Sequence, residues 1–243
     1  MLGVLACSTL AAATANAQDD PAAPGDVVKP ADPATAQQTR SQDDPYGLVK
    51  LMLGVSGSMS SSGGTANVGG VTATASGASV SDDLRLTFGG GAQYMHPLHR
   101  YFVLGGLFSA QSWQSSSQHS AGGGRNLMLD LAVVPQGRLP ITDTIELYIG
   151  LPLGITLDFL NGPSVMAAGV NVSGKDTAVG FNLSAVFGAR FALSKSVGLL
   201  AEIGYALHAF SHDIKVAVPI VGTVSASADI TLEQLALNAG VFF

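Results

Sequence analysis

Charged side chains are sparse along this chain, and six of them lie within stretches where apolar residues alternate with small or polar ones. In each stretch the charge falls opposite the large aliphatic side chains, so all six are expected on one face of a sheet. Opposite charges in a closed space can pair, or they can line a narrow pore. We interpret the six as a lumenal charge network serving as pore plug or gate: Lys50, Arg85, Asp130, Glu146, Arg190 and Glu202.

Histidines offer a second kind of chemistry. His96 and His99 flank Pro97-Leu98 in a predicted short turn, without the Cys or carboxylate partners that a metal site requires. A second group consists of His208, Ser211, His212 and Asp213.

A serine beside a histidine can act as a nucleophile with its base, which would make the second group the rim site of a lipid-modifying hydrolase. Its spacing matches no hydrolase motif, and the chain has neither a Gly-rich phosphate loop before a helix nor paired carboxylates in a cleft. We therefore predict that the protein is not an enzyme, with no catalytic residue, cofactor or metal, and retain the hydrolase as the less favoured alternative.

The elements that must position these residues are strands. Residues 145–157 place a large aliphatic side chain at every second position, with Gly, Pro, Thr, Glu and Tyr between them. A period of two predicts a β-strand. Thirteen residues at about 3.3 Å each, tilted by about 40°, cover about 33 Å, enough to cross the hydrocarbon layer of a bilayer. Small residues opposite the aliphatic face suit the interior of a narrow barrel.

Seven other stretches repeat this alternation, although the phase of residues 101–113 cannot be assigned because both faces are apolar. Ile230 and Leu232 depart from the phase of the final stretch, which predicts a bulge near Glu233 or a strand end already above the membrane. Pro152 cannot donate a ladder hydrogen bond and predicts a bulge of its own. The eight stretches are residues 48–56, 84–94, 101–113, 127–136, 145–157, 179–193, 197–210 and 235–243.

The connections between these strands alternate in length. Those at 96–100, 139–144 and 194–196 are short, whereas those at 57–83, 114–126, 158–178 and 211–228 are long. Short turns at one end and long loops at the other are typical of bacterial transmembrane barrels. Both chain ends are then predicted on the short-turn side, in the periplasm. Some long loops still alternate, so strand pairs are expected to continue above the membrane.

Composition favours the same class. Apolar residues make up 47% of the chain and charged residues only 12%, against about 25% in soluble domains. No apolar run reaches the length of a transmembrane helix. The net charge is −6 without a basic patch, so nucleic acid is not an expected partner.

The first 45 residues differ from the rest. Residues 1–17 are apolar and end in Ala15-Asn16-Ala17, which predicts a signal peptide. Its cysteine, Cys7, is the only one in the chain, so the mature chain has no disulfide. Residues 18–45 are rich in Pro, Ala, Asp and Gln and predict a disordered acidic periplasmic linker before a barrel at 46–243.

This layout resembles the small eight-stranded outer-membrane β-barrel proteins of Gram-negative bacteria, the class that includes the transmembrane domain of outer membrane protein A. The resemblance covers residues 46–243. It implies a terminal aromatic, with apolar residues at alternate upstream positions, that the barrel-insertion machinery reads during biogenesis. The matching residues, which we take as the C-terminal insertion signal, are Leu237, Ala239, Val241 and Phe243.

We therefore predict an all-β fold, an eight-stranded antiparallel up-and-down transmembrane β-barrel in the outer membrane, in contact with lipid and monomeric. The predicted role is structural or surface-interacting in the cell envelope, with a lumen largely plugged by side chains and a surface ligand that the sequence does not identify. The alternative is a narrow passive channel for small or apolar solutes, since eight strands leave space for side chains or one small ligand.

Overall fold

The computed structural model describes residues 44–68, 71–74, 79–167, 170–194, 196–218 and 222–243. The predicted signal peptide and nearly all of the predicted linker lie outside these residues. The described elements are β1 (Tyr46–Val68), β2 (Val71–Thr74), β3 (Ser79–Asp83), β4 (Thr87–His99), β5 (Phe102–Trp113), α1 (Ser116–Ser120), β6 (Asn126–Pro140), β7 (Ile145–Gly150), β8 (Leu153–Ala167), β9 (Val170–Ala192), β10 (Gly198–Val218) and β11 (Gly222–Phe242).

Eight antiparallel strands close into a ring. In ring order they are β1, β4, β5, β6, the pair β7 and β8, β9, β10 and β11, and β11 pairs again with β1. Backbone hydrogen bonds of 2.9 Å in both directions join Gly47 and Phe243 at the closing seam. Strands β2 and β3 pair only with the far half of β1. The prediction of an eight-stranded up-and-down barrel is confirmed.

Side chains alternate around this ring as the sequence pattern predicts. Outward positions on every barrel strand carry large apolar side chains that are widely exposed, for example Leu51 at 74%, Leu131 at 60% and Ile149 at 59%. Their neighbours along each strand point inward and are buried. The alternation also settles the phase of β5, in which Val103 and Leu107 face inward and Phe108 faces outward.

The ring has a turn end and a loop end. Short connections at residues 100–101, 141–144 and 193–197 lie at the turn end, together with Tyr46 and Phe243. At the loop end, strand pairing continues to Ala167↔Val170 in the β8–β9 hairpin and to Val218↔Gly222 in the β10–β11 hairpin. These long connections are therefore largely continued strands. The described helix, α1, spans five residues, so no described helix is long enough to cross a membrane.

Two predicted irregularities differ in the structure. Leu151 and Pro152 separate β7 from β8, yet the Leu151 N–H still donates to the Pro135 carbonyl and the Pro152 carbonyl accepts from Ser184 N–H. The register with β6 and β9 is the same on both sides, so there is no bulge at Pro152. Strand β11 also pairs without a register shift along β10. Register shifts occur instead on the other side of β11, in its pairing with β1, between Gly54 and Ser56 and between Ser62 and Thr65.

Aromatic side chains lie on both faces of the barrel. Transmembrane barrels commonly carry aromatic girdles at both interfaces, but Tyr46, Trp113 and Phe210 are 6%, 2% and 5% exposed because their strand parity turns them into the lumen. Tyr94 and Phe181 face outward and are exposed.

Candidate functional site

The described strands enclose a lumen, and part of its turn end is apolar. A cluster of buried side chains fills it there, mostly large residues from six strands. We call this the turn-end cluster: Tyr46, Leu48, Met95, Val103, Leu107, Ala132, Val134, Leu200 and Phe242. These residues replace the water-filled mouth that a general pore would have with close-packed hydrocarbon.

A buried ion pair lies farther into the lumen. Lys50 on β1 donates to Glu202 on β10, with 2.9 Å between Nζ and Oε2, and both side chains are no more than 3% exposed. Glu202 also accepts hydrogen bonds from Asn238 Nδ2 at 2.9 Å and from Tyr148 Oη at 2.8 Å. The carboxylate that loses its water on burial is therefore compensated by one cation and two neutral donors.

A second ionic group joins three strands on the turn side. Arg190 Nη1 lies 2.8 Å from Glu146 Oε1, and Arg138 Nη1 lies 3.9 Å from Glu146 Oε2. The Arg190 guanidinium also stacks between two rings, 4.5 Å from the centroid of Tyr46 and 4.4 Å from that of Tyr148. A guanidinium held between two aromatic faces has little freedom to move aside.

Asp130 on β6 is the centre of a third group. Its carboxylate accepts hydrogen bonds from Thr156 Oγ1 at 2.6 Å, Ser109 Oγ at 3.0 Å and Asn182 Nδ2 at 3.2 Å. His208 Nε2 lies 3.4 Å from the same carboxylate. Side chains from β5, β6, β8, β9 and β10 thereby meet across the lumen.

The loop end of the lumen closes with a mixed cluster, which we call the outer cluster. Its apolar part consists of Trp113, Met128, Ala178, Phe210 and Leu232. Above it, Trp113 Nε1 donates to Asp158 Oδ1 at 2.6 Å. His212 bridges two carboxylates, with Nε2 3.0 Å from Asp158 Oδ2 and Nδ1 2.9 Å from Asp176 Oδ2.

His212 lies just beyond the band of outward apolar side chains, which we call the apolar wall. The outward positions on β10 change there from Leu207 and Ala209 to the polar Ser211. Burial alone would lower the pKa of His212, but its hydrogen bonds to Asp158 and Asp176 outweigh burial and raise the pKa above its ordinary value. Both ring nitrogens face carboxylate oxygens, so the imidazolium form satisfies both partners.

Two inward glycines lie against large side chains. A Cβ atom on Gly188 would lie 2.5 Å from the ring of Tyr148, and one on Gly204 would lie 2.9 Å from Val186. The space above each of these glycines is therefore filled by a side chain from the neighbouring strand.

The structure brings five of the six predicted lumenal charges into buried or half-buried networks and leaves Arg85 outside them. Lys50 and Glu202 pair with each other, Glu146 pairs with Arg190, and Asp130 joins the group around His208. Arg85 is exposed because it lies two residues before β4 begins, so the strand phase assumed for residues 84–94 does not hold there. The residues predicted to form the C-terminal insertion signal, Leu237, Ala239, Val241 and Phe243, all have side chains exposed on the barrel exterior.

The hydrolase group is not assembled. Ser211 faces outward and hydrogen-bonds Asp229, whereas His212 faces the lumen and bonds Asp158 and Asp176. His208 is buried against Asp130 and is likewise separated from Ser211 by strand parity. Among the described residues, no group of three or more His, Cys, Asp or Glu side chains is arranged to hold a metal.

Sequence reasoning missed several lumenal residues. Gln111 and Gln234 bond each other at 2.8 Å, and Tyr148 connects Glu202 to the Arg190 stack. Strand parity turns these polar side chains inward, and it is the sequence signal that could have found them. The Asp158–His212–Asp176 bridge could not be inferred, because all three of its residues lie beyond the strands predicted from the sequence.

A closed ring of eight antiparallel strands, aliphatic outside and polar or tightly packed inside, defines a transmembrane β-barrel. No family model and no curated protein matches the chain.

Three solved structures are similar to it. Neisserial surface protein A is 12% identical, with 82% of this chain and 95% of that chain covered and a TM-score of 0.42. The outer membrane protein OprG from Pseudomonas aeruginosa is 11% identical, with coverage of 83% and 98% and a TM-score of 0.48. Ail, the attachment invasion locus protein of Yersinia pestis, is 13% identical, with coverage of 81% and 99% and a TM-score of 0.34.

Proposed function

We propose that this chain is an integral outer-membrane barrel with a structural and surface-interacting role, whose lumen is closed by its own side chains. The observation that supports it best is the filling of the lumen along its length. The turn-end cluster, the Lys50–Glu202 pair, the Asp130 group and the outer cluster follow one another from end to end.

The apolar exterior of the barrel requires a lipid environment. A continuous outward band of Leu, Ile, Val and Phe would aggregate in water, whereas in a bilayer it is matched by acyl chains. A barrel satisfies every backbone group within the wall because it has no edge. In this proposal the turn end, which carries Tyr46 and Phe243, faces the periplasm, and the loop-end hairpins reach the cell surface.

Surface contact is assigned to the loop end because pairing continues there beyond the apolar wall. The β10–β11 hairpin is paired in register to Val218↔Gly222, well beyond the last outward apolar residue of β10. Such a hairpin offers regular paired strands to other molecules outside the cell.

Two measurements test the proposal. Outer-membrane fractions should contain a form that migrates differently on gels before and after boiling, as a closed barrel does. The purified, folded form should give no discrete openings in a planar bilayer. Recovery in the soluble fraction would overturn the membrane assignment, and discrete openings would overturn the closed lumen.

The second candidate is the narrow passive channel. It is favoured by a central cavity of about 30 Å³ lined by Lys50, Asp130 and His208, among other residues. The cavity faces two buried polar atoms without a protein partner among the described residues, His208 Nδ1 and Asn238 Oδ1. The cavity has room for about one water molecule, which would hydrate these two atoms without opening a path through the packed lumen. The bilayer recording distinguishes an isolated hydrated cavity from a conducting path.

A further inference from the structure

Two arginines lie together on the outside of the barrel at its loop end. Arg125 immediately precedes β6 and shares the outward parity of Leu127, and Arg85 precedes β4 and is exposed. Both are at the height where the outward apolar side chains end. This is the level at which the headgroups of a bilayer meet a barrel.

Arg125 is held in a fixed position across three strands. Its Nε donates to Ser112 Oγ at 2.8 Å, and its Nη2 donates to the carbonyl oxygens of Leu86 at 2.8 Å and Ser112 at 2.9 Å. The guanidinium also lies over the outward ring of Phe88, 4.6 Å from its centroid. Its Nη1 makes no hydrogen bond within the described part of the chain, so that edge of the fork faces the surroundings.

Neither arginine has an acidic partner among the described residues. The ion pairs found there involve Lys50, Arg138, Arg190, His208 and His212. Asp82, three residues before Arg85, instead accepts hydrogen bonds from the backbone N–H and hydroxyl of Ser117.

Arg125 donates to the carbonyl oxygen of Leu86, the residue next to Arg85, so the two cations lie near each other. Partial burial and the neighbouring positive charge of Arg85 both lower the pKa of Arg125. A pair of like charges held together without a carboxylate is stabilised by an anion from outside.

The surface beside the two cations is apolar. Leu86 and Phe88 on the β4 side and Leu127 on β6 are exposed at 55%, 53% and 44%. An anion bound here would therefore have hydrocarbon directly below it. A lipid combines these two chemistries in one molecule, with phosphate at the headgroup level and acyl chains beneath.

We propose that Arg85 and Arg125 bind the phosphate group of an outer-leaflet lipid whose acyl chains pack on Phe88 and Leu127. The inference rests on the proposed membrane function, because it requires the apolar wall to be in a bilayer. Arginine suits the task, since its planar fork can present two N–H donors to phosphate oxygens. Arg125 supplies the preorganised donor, and the exposed Arg85 adds a second positive charge.

The test is lipid binding by the folded, detergent-purified protein, followed by native mass spectrometry. The probes are dioleoyl phosphatidic acid, which carries a phosphate monoester, and dioleoylglycerol, which lacks it. We expect the wild type to retain the phosphate lipid preferentially and R85Q/R125Q to bind it about tenfold more weakly. R100Q is the matched control, because Arg100 also lies over an outward ring, that of Tyr101, but at the turn end.

Arg85→Gln alone provides a variant that cannot disturb folding through lost side-chain hydrogen bonds, since the Arg85 side chain makes none among the described residues. It should weaken binding severalfold. Equal binding by wild type and R85Q/R125Q, or an equal loss in R100Q, would overturn the site. Full displacement of the lipid by millimolar inorganic phosphate would overturn the lipid as its ligand. Loss of the unboiled gel form in the wild type would instead count against the barrel proposal itself.

Discussion

The buried Lys50–Glu202 pair allows the plugged-lumen proposal to be tested energetically. In Lys50→Met the apolar stem is kept and the ammonium is removed, so Glu202 loses the cation 2.9 Å away while it stays almost wholly buried. Its hydrogen bonds from Tyr148 and Asn238 remain but do not neutralise it. Removing one partner of a buried pair costs about 3–5 kcal/mol, and we expect a loss in that range.

The double variant Lys50→Met/Glu202→Gln should recover more than half of the loss. Glutamine has no charge to leave unpaired, and it can still accept from Tyr148. This recovery separates an uncompensated charge from simple loss of packing, because a packing defect would persist in the double variant. Arg100→Met is the matched control: its side chain is exposed, and we expect a change of no more than about 0.5 kcal/mol.

Unfolding by denaturant from detergent micelles or lipid vesicles measures these free energies. Trp113 is the only tryptophan in the chain and is 2% exposed in the outer cluster, so its emission reports loss of the folded lumen. A loss below about 1 kcal/mol in Lys50→Met would refute the reasoning, since a desolvated carboxylate cannot lose its cation so cheaply. So would a double variant no more stable than Lys50→Met.

Three further predictions concern the rim and the wall. The pKa of His212 is raised in the folded state, so its contribution to stability is complete below the unfolded pKa of about 6.5 and is lost as pH rises through the folded pKa. Trp113 emission should therefore report a less stable outer cluster as pH rises. His212→Gln should abolish this dependence of stability on pH. Pro152→Ala supplies a ladder N–H that faces the Ser184 carbonyl, and it should raise the free energy of unfolding by about 0.5–1.5 kcal/mol in the denaturant assay. A lower free energy of unfolding would show that the rigidity of proline contributes more than the added hydrogen bond. Leu151→Arg puts a charge on the outward face and should cost about 2–4 kcal/mol in vesicles, and an unchanged stability would contradict lipid contact at that position.

Much of the barrel follows from period-two alternation, because a wall with lipid on one side and a narrow lumen on the other imposes opposite demands on successive residues. That constraint identified the outward aliphatics of β7 and β8 and the inward Lys50, Asp130 and Glu202. It weakens wherever the wall ends. Arg85 precedes its strand, and the partners of His212 on β8 and β9 belong to hairpins above the wall, where alternation no longer reports lipid.

Other features escaped because they depend on size and contact rather than parity. Trp113 and Phe210 have the aromatic character typical of a membrane interface, yet both are buried inside the lumen in the outer cluster. Leu232 keeps the inward parity of Ala236 and Asn238 and is buried in the outer cluster, so its apolar character reflects filling of the lumen and not a change of phase. Pro152 was expected to distort the register, but neighbouring hydrogen bonds from Leu151 to Pro135 and from Ser184 to Pro152 preserve it.

The seam between β1 and β11 carries a consequence for how this protein is made. The strands that join there come from opposite ends of the described barrel sequence, and every other strand of the ring lies between them. Until they pair, the sheet has two edge strands whose unpaired N–H and C=O groups can pair with a strand of another chain. Closure requires a contact between segments that are far apart in the sequence, and such contacts form slowly. A newly made barrel of this design therefore needs protection of its two edge strands before closure, and a factor that binds either edge would control the rate at which the barrel closes.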